Sequence, residues 1–160
     1  MNRSWYNRAG VERVMGFCSE TEYENFMKSV VPFEQMLIGS GMQIYKYYLD
    51  ISKDEQERRL RDRRVDPLKQ WKISPIDEVA IEHWDDYSEA RDAMFRRTHT
   101  EISPWFVVKA DDKKTARLII IGHLMSLVDC PDKDKHAEQP DAEIVFPFDE
   151  IYLQNKIIAS

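Results

Sequence analysis

The sequence predicts an α/β fold, and three observations carry that prediction. Two runs rich in β-formers, residues 42–51 and 104–110, are each followed by a helical pattern. The chain has 160 residues, 42% of them hydrophobic, with 4 Trp, 7 Tyr and 7 Phe, enough for one domain with a core and too much to bury for a disordered chain. Only two strands are convincing, and two strands cannot make a well-covered parallel sheet. The pattern therefore reads as the second half of a larger α/β domain.

Taken in order, residues 10–17 suit a short helix. Ser19 with Glu22 fits a capping box, so a second helix should start near Thr21, with Tyr23, Phe26, Met27 and Val30 on one face. Pro32 suits the first turn of a further helix carrying Phe33, Met36 and Leu37, which Gly39 and Gly41 stop. Residues 42–51 read as a strand, apolar on both faces, with the base Lys46 inside it. Residues 54–64 form a very polar helix that Asp66-Pro67 ends. Ser74, Pro75 and Asp77 open a helix to about Arg97, with Ile81, Trp84, Tyr87, Arg91, Met94 and Phe95 as its inner stripe. Residues 104–110 are a short buried strand, and Asp111 and Asp112 cap the helix after it, with Ala116, Ile119, Ile120, Leu124 and Leu127 among its apolar residues. From Asp129 the chain turns polar and acidic and reads as a tail, in which residues 144–148 and 151–153 could dock on the body or on a partner.

Charge excludes some functions. The net charge is −6, which argues against a nucleic-acid or membrane binder acting through its overall field. The distribution is uneven. Residues 129–160 hold eight acids and three bases, whereas residues 53–72 hold eight bases and five acids, the one stretch suited to a polyanion. No apolar run approaches the roughly 20 residues of a membrane span, and the amino-terminal residues are polar, so the cytoplasm is the expected location. Cys18 and Cys130 have no metal spacing, and neither do His83, His99, His123 and His136.

Three segments could carry chemistry. In residues 2–13, Arg3, Arg8 and Arg13 could grip phosphate oxygens, while Asn2, Asn7 and Glu12 could hold a ribose hydroxyl or a metal-bound water; the alternative is a solvated end with an aromatic staple. On a helix, Arg58, Arg61 and Arg64 or Val65 share one face, and Lys69 and Lys72 continue the basic run, so a chain of phosphates could lie along it. The alternative is an exposed helix laced with ion pairs such as Asp54–Arg58 and Glu57–Arg61. Residues 110–114, Ala-Asp-Asp-Lys-Lys, end a strand, where open α/β sheets bind ligands, or else simply cap a helix. A phosphate-cradling P-loop needs glycine followed by lysine. None of Gly10, Gly16, Gly39, Gly41 and Gly122 is followed by Lys, so this sequence contains no P-loop.

Four ordered stretches, RSWYNRAGVERV (3–14), QERRLRDRRVDPLKQWK (56–72), WDDYSEARDAMFRRT (84–98) and SPWFVVKADDKKTARL (103–118), resemble the carboxyl-terminal half of the polyphosphate kinase type 2 family. The resemblance spans residues 1–128, with a lid at about 52–75, and leaves 129–160 as an acidic tail. It implies a P-loop-kinase-like three-layer α/β/α fold with a helical lid, of which this is the carboxyl-terminal portion. It implies magnesium-dependent phosphoryl transfer between inorganic polyphosphate and a nucleoside mono- or diphosphate. By that resemblance Arg58, Arg61, Arg64, Lys69 and Lys72 bind polyphosphate, Asn7, Arg8 and Glu12 line the nucleotide site, and Arg3 and Arg61 act in catalysis. Asn2 stands where the family has a metal-holding aspartate, which removes that charge. The family's P-loop half has no counterpart here. The expectation is a truncated or split product, inactive alone, that works as a homo-oligomer or with a P-loop-bearing partner chain. The alternative is a fragment that binds polyphosphate or a partner without turnover. Neither a membrane nor nucleic acid is an expected partner.

Overall fold

The computed structural model describes residues 4–74, 76, 79–129 and 140–159. A 3-10 turn at Trp5–Arg8 leads into the short helix α1, Val11–Val14, and then α2, Glu20–Gly39. Strand β1, Lys46–Asp50, is followed by α3, Lys53–Val65, and a 3-10 turn at Gln70–Lys72. Then come α4, Trp84–Thr98, β2, Trp105–Lys109, and α5, Lys113–Leu127. Strand β3, Val145–Pro147, and helix α6, Ile151–Gln154, close the described chain. The sheet order is β1-β2-β3. β1 runs parallel to β2 with Lys46 opposite Trp105, and β3 runs antiparallel to β2 with Val107 opposite Phe146.

Local chemistry sets most boundaries. At the start of α2 the Ser19 hydroxyl accepts from the Glu22 N–H, while the Glu22 carboxylate accepts from the Ser19 N–H at 2.8 Å, so the predicted capping box is present. The Asp112 carboxylate accepts from the N–H groups of Lys114 and Thr115 and fixes the start of α5. Gly41, at φ +92, takes the left-handed turn that lets the chain leave α2.

Three expectations need correction. Pro32 does not begin a new helix; it lies inside the continuous α2. An interior proline costs about 3 kcal/mol, but the buried stripe Tyr23, Met27, Val30 and Glu34 runs past it and rewards a single helix. β1 begins at Lys46, four residues later than its β-formers suggest. There are three strands among the described residues, because Val145–Pro147 pairs with β2; of the two fates expected for the acidic segment, docking on the body is the one observed. The expected helix start at Pro75 and Asp77 lies outside the described residues, and α4 is regular from Trp84.

Alternation along β2 builds two cores. Trp105 and Val107 face α2 and α4 in a cluster with Tyr6, Tyr23, Met27, Val30, Phe95, Phe146, Phe148 and Ile158. Its aromatic rings meet edge-on or stacked: Tyr6 and Trp105 lie 4.8 Å apart, and Phe95 and Phe148 4.5 Å apart, contacts worth about 0.5–1.5 kcal/mol each beyond burial. On the opposite face Val108, Ala110 and Val145 pack against Ala116 of α5. No helix among the described residues is long and apolar enough to cross a membrane.

Candidate functional site

The polar helix α3 is held to the body at its foot. Only Leu60 of its residues is buried. Its N-cap Ser52 gives both its backbone N–H and its hydroxyl to the Asp111 carboxylate, at 2.8 and 2.9 Å. Two turns on, the Arg59 guanidinium donates to the carbonyls of Ala110 and Asp111, at 2.6 and 3.0 Å, and pairs with Glu55 at 2.5 Å. The loop after β2 is thus the seat of α3. It stands at the carboxyl ends of the two parallel strands, where such sheets bind ligands.

The predicted polyphosphate residues stand exposed on α3 and on the turn after it. Arg58 is held by Glu55, through two hydrogen bonds of 2.7 and 2.8 Å, and by Asp62 at 3.2 Å, and not by Asp54 as its spacing suggested. Arg61 reaches Glu57 only at 3.8 Å and remains mostly exposed. The Arg64 side chain makes no ion pair among the described residues and is exposed. Lys69 pairs with Asp66 at 2.9 Å, and the Lys72 ammonium sits 5.0 Å from the centre of the Trp71 ring. The hydrogen bonds from Arg58 and then Arg59 hold the Glu55 carboxyl down at about 2, well below its ordinary 4.5.

The nucleotide-site candidates form a separate group. Arg8 Nε donates to Glu12 at 2.5 Å, so the two neutralise each other. Asn7 accepts at its backbone carbonyl from Gly10 and is half-buried. Asn2 and Arg3 lie outside the described residues. The loop is fastened through Tyr6, whose hydroxyl donates to Glu34 at 2.9 Å and whose ring packs on Trp105, the first residue of β2. The loop's anchor is therefore at the amino ends of the strands, and α3 is seated at their carboxyl ends. Among the described residues no hydrogen bond or ion pair joins Asn7, Arg8 or Glu12 to the lid.

Glu34 and Lys46 are residues that the sequence reading did not connect. Both are buried, and they pair at 2.9 Å. Glu34 also accepts from Ser103 at 3.0 Å and from the Trp5 indole at 3.4 Å, while Lys46 donates to the Thr98 carbonyl at 2.7 Å. Burial lowers the Lys46 ammonium below its ordinary range, and Glu34 opposes that shift. Two signals were legible: a base inside an apolar strand, and an acid on the apolar stripe of α2. This hub ties the Trp5–Arg8 turn to the sheet.

Among the described residues no group of three or more His, Cys, Asp or Glu could hold a metal ion. Magnesium is ordinarily held by one or two carboxylates together with substrate phosphates, and the metal position read from the sequence, Asn2, lies outside the described residues.

The family model for polyphosphate kinase 2 matches residues 1–136. The chain is 52% identical over 145 residues to NDP-polyphosphate phosphotransferase 2 of Ruegeria pomeroyi, covering 90% of this chain and 42% of that protein. It is 52% identical over 147 residues to GDP-polyphosphate phosphotransferase of Pseudomonas aeruginosa, covering 91% of this chain and 41% of the relative. Polyphosphate kinase 2 of Arthrobacter aurescens superposes with a TM-score of 0.69 at 34% identity, over 98% of this chain and 52% of that one. The chain thus spans about two-fifths of the length of these two curated relatives.

Proposed function

Since the chain belongs to the polyphosphate kinase 2 family, we propose that it contributes the polyphosphate-binding lid and part of the nucleotide site to a polyphosphate:nucleotide phosphotransferase. Residues 1–128, with β1, β2 and their helices, are then the carboxyl-terminal portion of a P-loop-kinase-like three-layer domain, with a lid over about 52–75. Residues 129–160 are an acidic extension, and within it Val145–Pro147 pairs with β2 of that portion.

The observation that carries this reading is the exposed row of cations on α3 and the turn after it, Arg58, Arg61, Arg64, Lys69 and Lys72. Held on a helix whose foot is fastened to the sheet, they can follow a linear chain of phosphates and neutralise the charge that spreads over the equatorial oxygens during in-line transfer. Arg61, the least engaged of those with an acidic neighbour, is the group available to the transferring phosphoryl. By the family resemblance Arg3 is assigned a catalytic role, and Asn7, Arg8 and Glu12 are assigned to the nucleoside mono- or diphosphate. Cradling the nucleotide phosphates requires a P-loop, which this sequence does not contain, so turnover needs P-loop-bearing sequence joined or assembled to it. The relatives named above carry GDP in one name and NDP in another. A nucleoside diphosphate is accordingly the acceptor proposed here.

The test is nucleoside triphosphate formation from GDP or ADP, long-chain polyphosphate and magnesium, alongside polyphosphate binding. The 160-residue chain should bind polyphosphate in a salt-dependent manner, and Arg61→Ala should weaken that binding. Turnover should arise only when a P-loop-bearing homologue or segment is added. Absence of binding by the unaltered chain overturns the reading, and turnover by it alone overturns the requirement for a P-loop.

A further inference from the structure

The three most exposed large apolar side chains among the described residues stand together, at the end of the basic stretch. Leu68 is 83% exposed, Trp71 77% and Val65 76%. Apolar side chains scattered singly on a surface need no explanation, but a group of them does. A tryptophan left in water forgoes the burial that ordinarily places it in a core or an interface.

Hydrogen bonds fix the turn that presents Trp71. The Asp66 carboxylate accepts from the Leu68 N–H at 3.0 Å and pairs with the Lys69 ammonium at 2.9 Å. The Asp66 carbonyl accepts from the N–H groups of Lys69 and Gln70, at 2.8 and 3.1 Å. The Gln70 amide donates to the Arg64 carbonyl at 3.1 Å and ties the turn back to the end of α3. The indole N–H of Trp71 donates to the Leu68 carbonyl at 2.9 Å. The ring is therefore held in one orientation, and its single polar group is already engaged. What it still offers is a flat π surface, with the Lys72 ammonium 5.0 Å from its centre.

This surface combines two demands. Polyphosphate answers the cations, but it has no planar or apolar part and leaves the ring uncovered. A protein face laid over the ring would have to bring acids for the neighbouring ammonium groups. A nucleotide brings both parts in one molecule, a flat base for the ring and phosphates for the cations beside it. We propose that Trp71 is a stacking platform for the base of the acceptor nucleotide, whose phosphates join the cation row at Lys72. The proposal rests on the reading of the chain as part of a polyphosphate:nucleotide phosphotransferase and adds a base contact to its lid. In an in-line transfer the terminal phosphates of donor and acceptor meet, so the nucleoside projects from one end of the phosphate row. Lys69 and Lys72 are the last cations of that row in the chain, and Trp71 stands between them. Stacking uses the π face that every base has, so this contact does not separate guanine from adenine.

The experiment measures binding of GDP, ADP, pyrophosphate and long-chain polyphosphate to the 160-residue chain, for wild type, Trp71→Ala and Trp71→Phe. Pyrophosphate supplies the two phosphates without the base. Wild type should bind GDP and ADP alike, and both more tightly than pyrophosphate. Trp71→Ala should weaken GDP binding roughly tenfold and leave pyrophosphate binding, polyphosphate binding and the thermal melt unchanged. Trp71→Phe should keep most of the GDP affinity. GDP should quench the tryptophan fluorescence of wild type, and Trp71→Phe should abolish that quenching although Trp5, Trp84 and Trp105 remain. If Trp71→Ala binds GDP as wild type does, or if wild type binds GDP no better than pyrophosphate, the inference falls while polyphosphate binding keeps the lid reading. If Trp71→Ala weakens polyphosphate as much as GDP, the ring only shapes the turn and the inference falls. If wild type binds no polyphosphate, the lid reading itself is overturned.

Discussion

Glu34 shows how much one buried residue can organise. It accepts hydrogen bonds from Tyr6, Ser103, Lys46 and Trp5, from three separate stretches of chain. Replacing it with glutamine keeps its shape and leaves the Lys46 ammonium buried without a counter-charge. Glu34→Gln should cost about 3–5 kcal/mol in urea unfolding, since an unpaired buried charge carries that penalty. Trp5 fluorescence should shift as the turn it belongs to loosens. The double variant Glu34→Gln with Lys46→Met should recover most of the lost stability, because methionine, of similar length to lysine, removes the orphaned charge; failure to recover would show that the hub acts through the charged hydrogen bonds of Glu34 to Tyr6 and Ser103 instead. At this scale the sequence was legible where the partner is close by, as in the Ser19–Glu22 box and the Asp112 cap. It was not legible where the partner is distant: Lys46 stood out as a base in a strand, but nothing local points from it to Glu34.

The polar helix α3, proposed as the lid, is an element whose stability comes from charge and not from burial. Leu60 is its one buried residue, while Glu55 joins Arg58 and Arg59 and Asp62 adds to Arg58. The folded Glu55 carboxyl, at about 2, lies below its ordinary 4.5. A group shifted in this direction contributes stability that is complete above the ordinary value and is lost as the pH falls toward the folded one. The helical signal of the lid should therefore decline between pH 4.5 and about 2, and Glu55→Gln should remove that part of the pH dependence; circular dichroism of the two proteins across this range decides it. The helix itself was legible from its composition, as were α5 and the centre of β2. Two elements were not. Pro32 ordinarily marks a boundary, and only the buried stripe on either side of it shows that α2 continues. Val145–Pro147 is too short for periodicity to reveal, and its proline is tolerated because it stands on an edge strand. Arg59 was legible as one base among eight; its role as the lid's anchor depends on a carbonyl pair fifty residues away.

For the whole molecule, the described surfaces leave apolar area uncovered. Leu118, Ile121 and Met125 lie along one side of α5, 62%, 56% and 44% exposed, and Leu49 on β1, an edge strand of the described sheet, is 55% exposed. Unpaired edges and contiguous apolar faces promote association. The isolated 160-residue chain should self-associate at micromolar concentration in sedimentation velocity, and Leu118→Lys with Ile121→Lys should shift it toward the monomer without lowering its melting temperature. A monomer with an already cooperative melt would show that these surfaces need no cover. The parallel pairing of β1 with β2 has a consequence in time. The centre strand of the sheet has no hairpin partner: the lid and α4 separate it from β1, and α5 and the acidic segment separate it from β3. Neither pairing can be nucleated by a tight turn, so each must close a long loop before any hydrogen bond rewards it. Refolding from denaturant should consequently be slow for a chain of this size, with the helices forming ahead of the sheet that seats the lid.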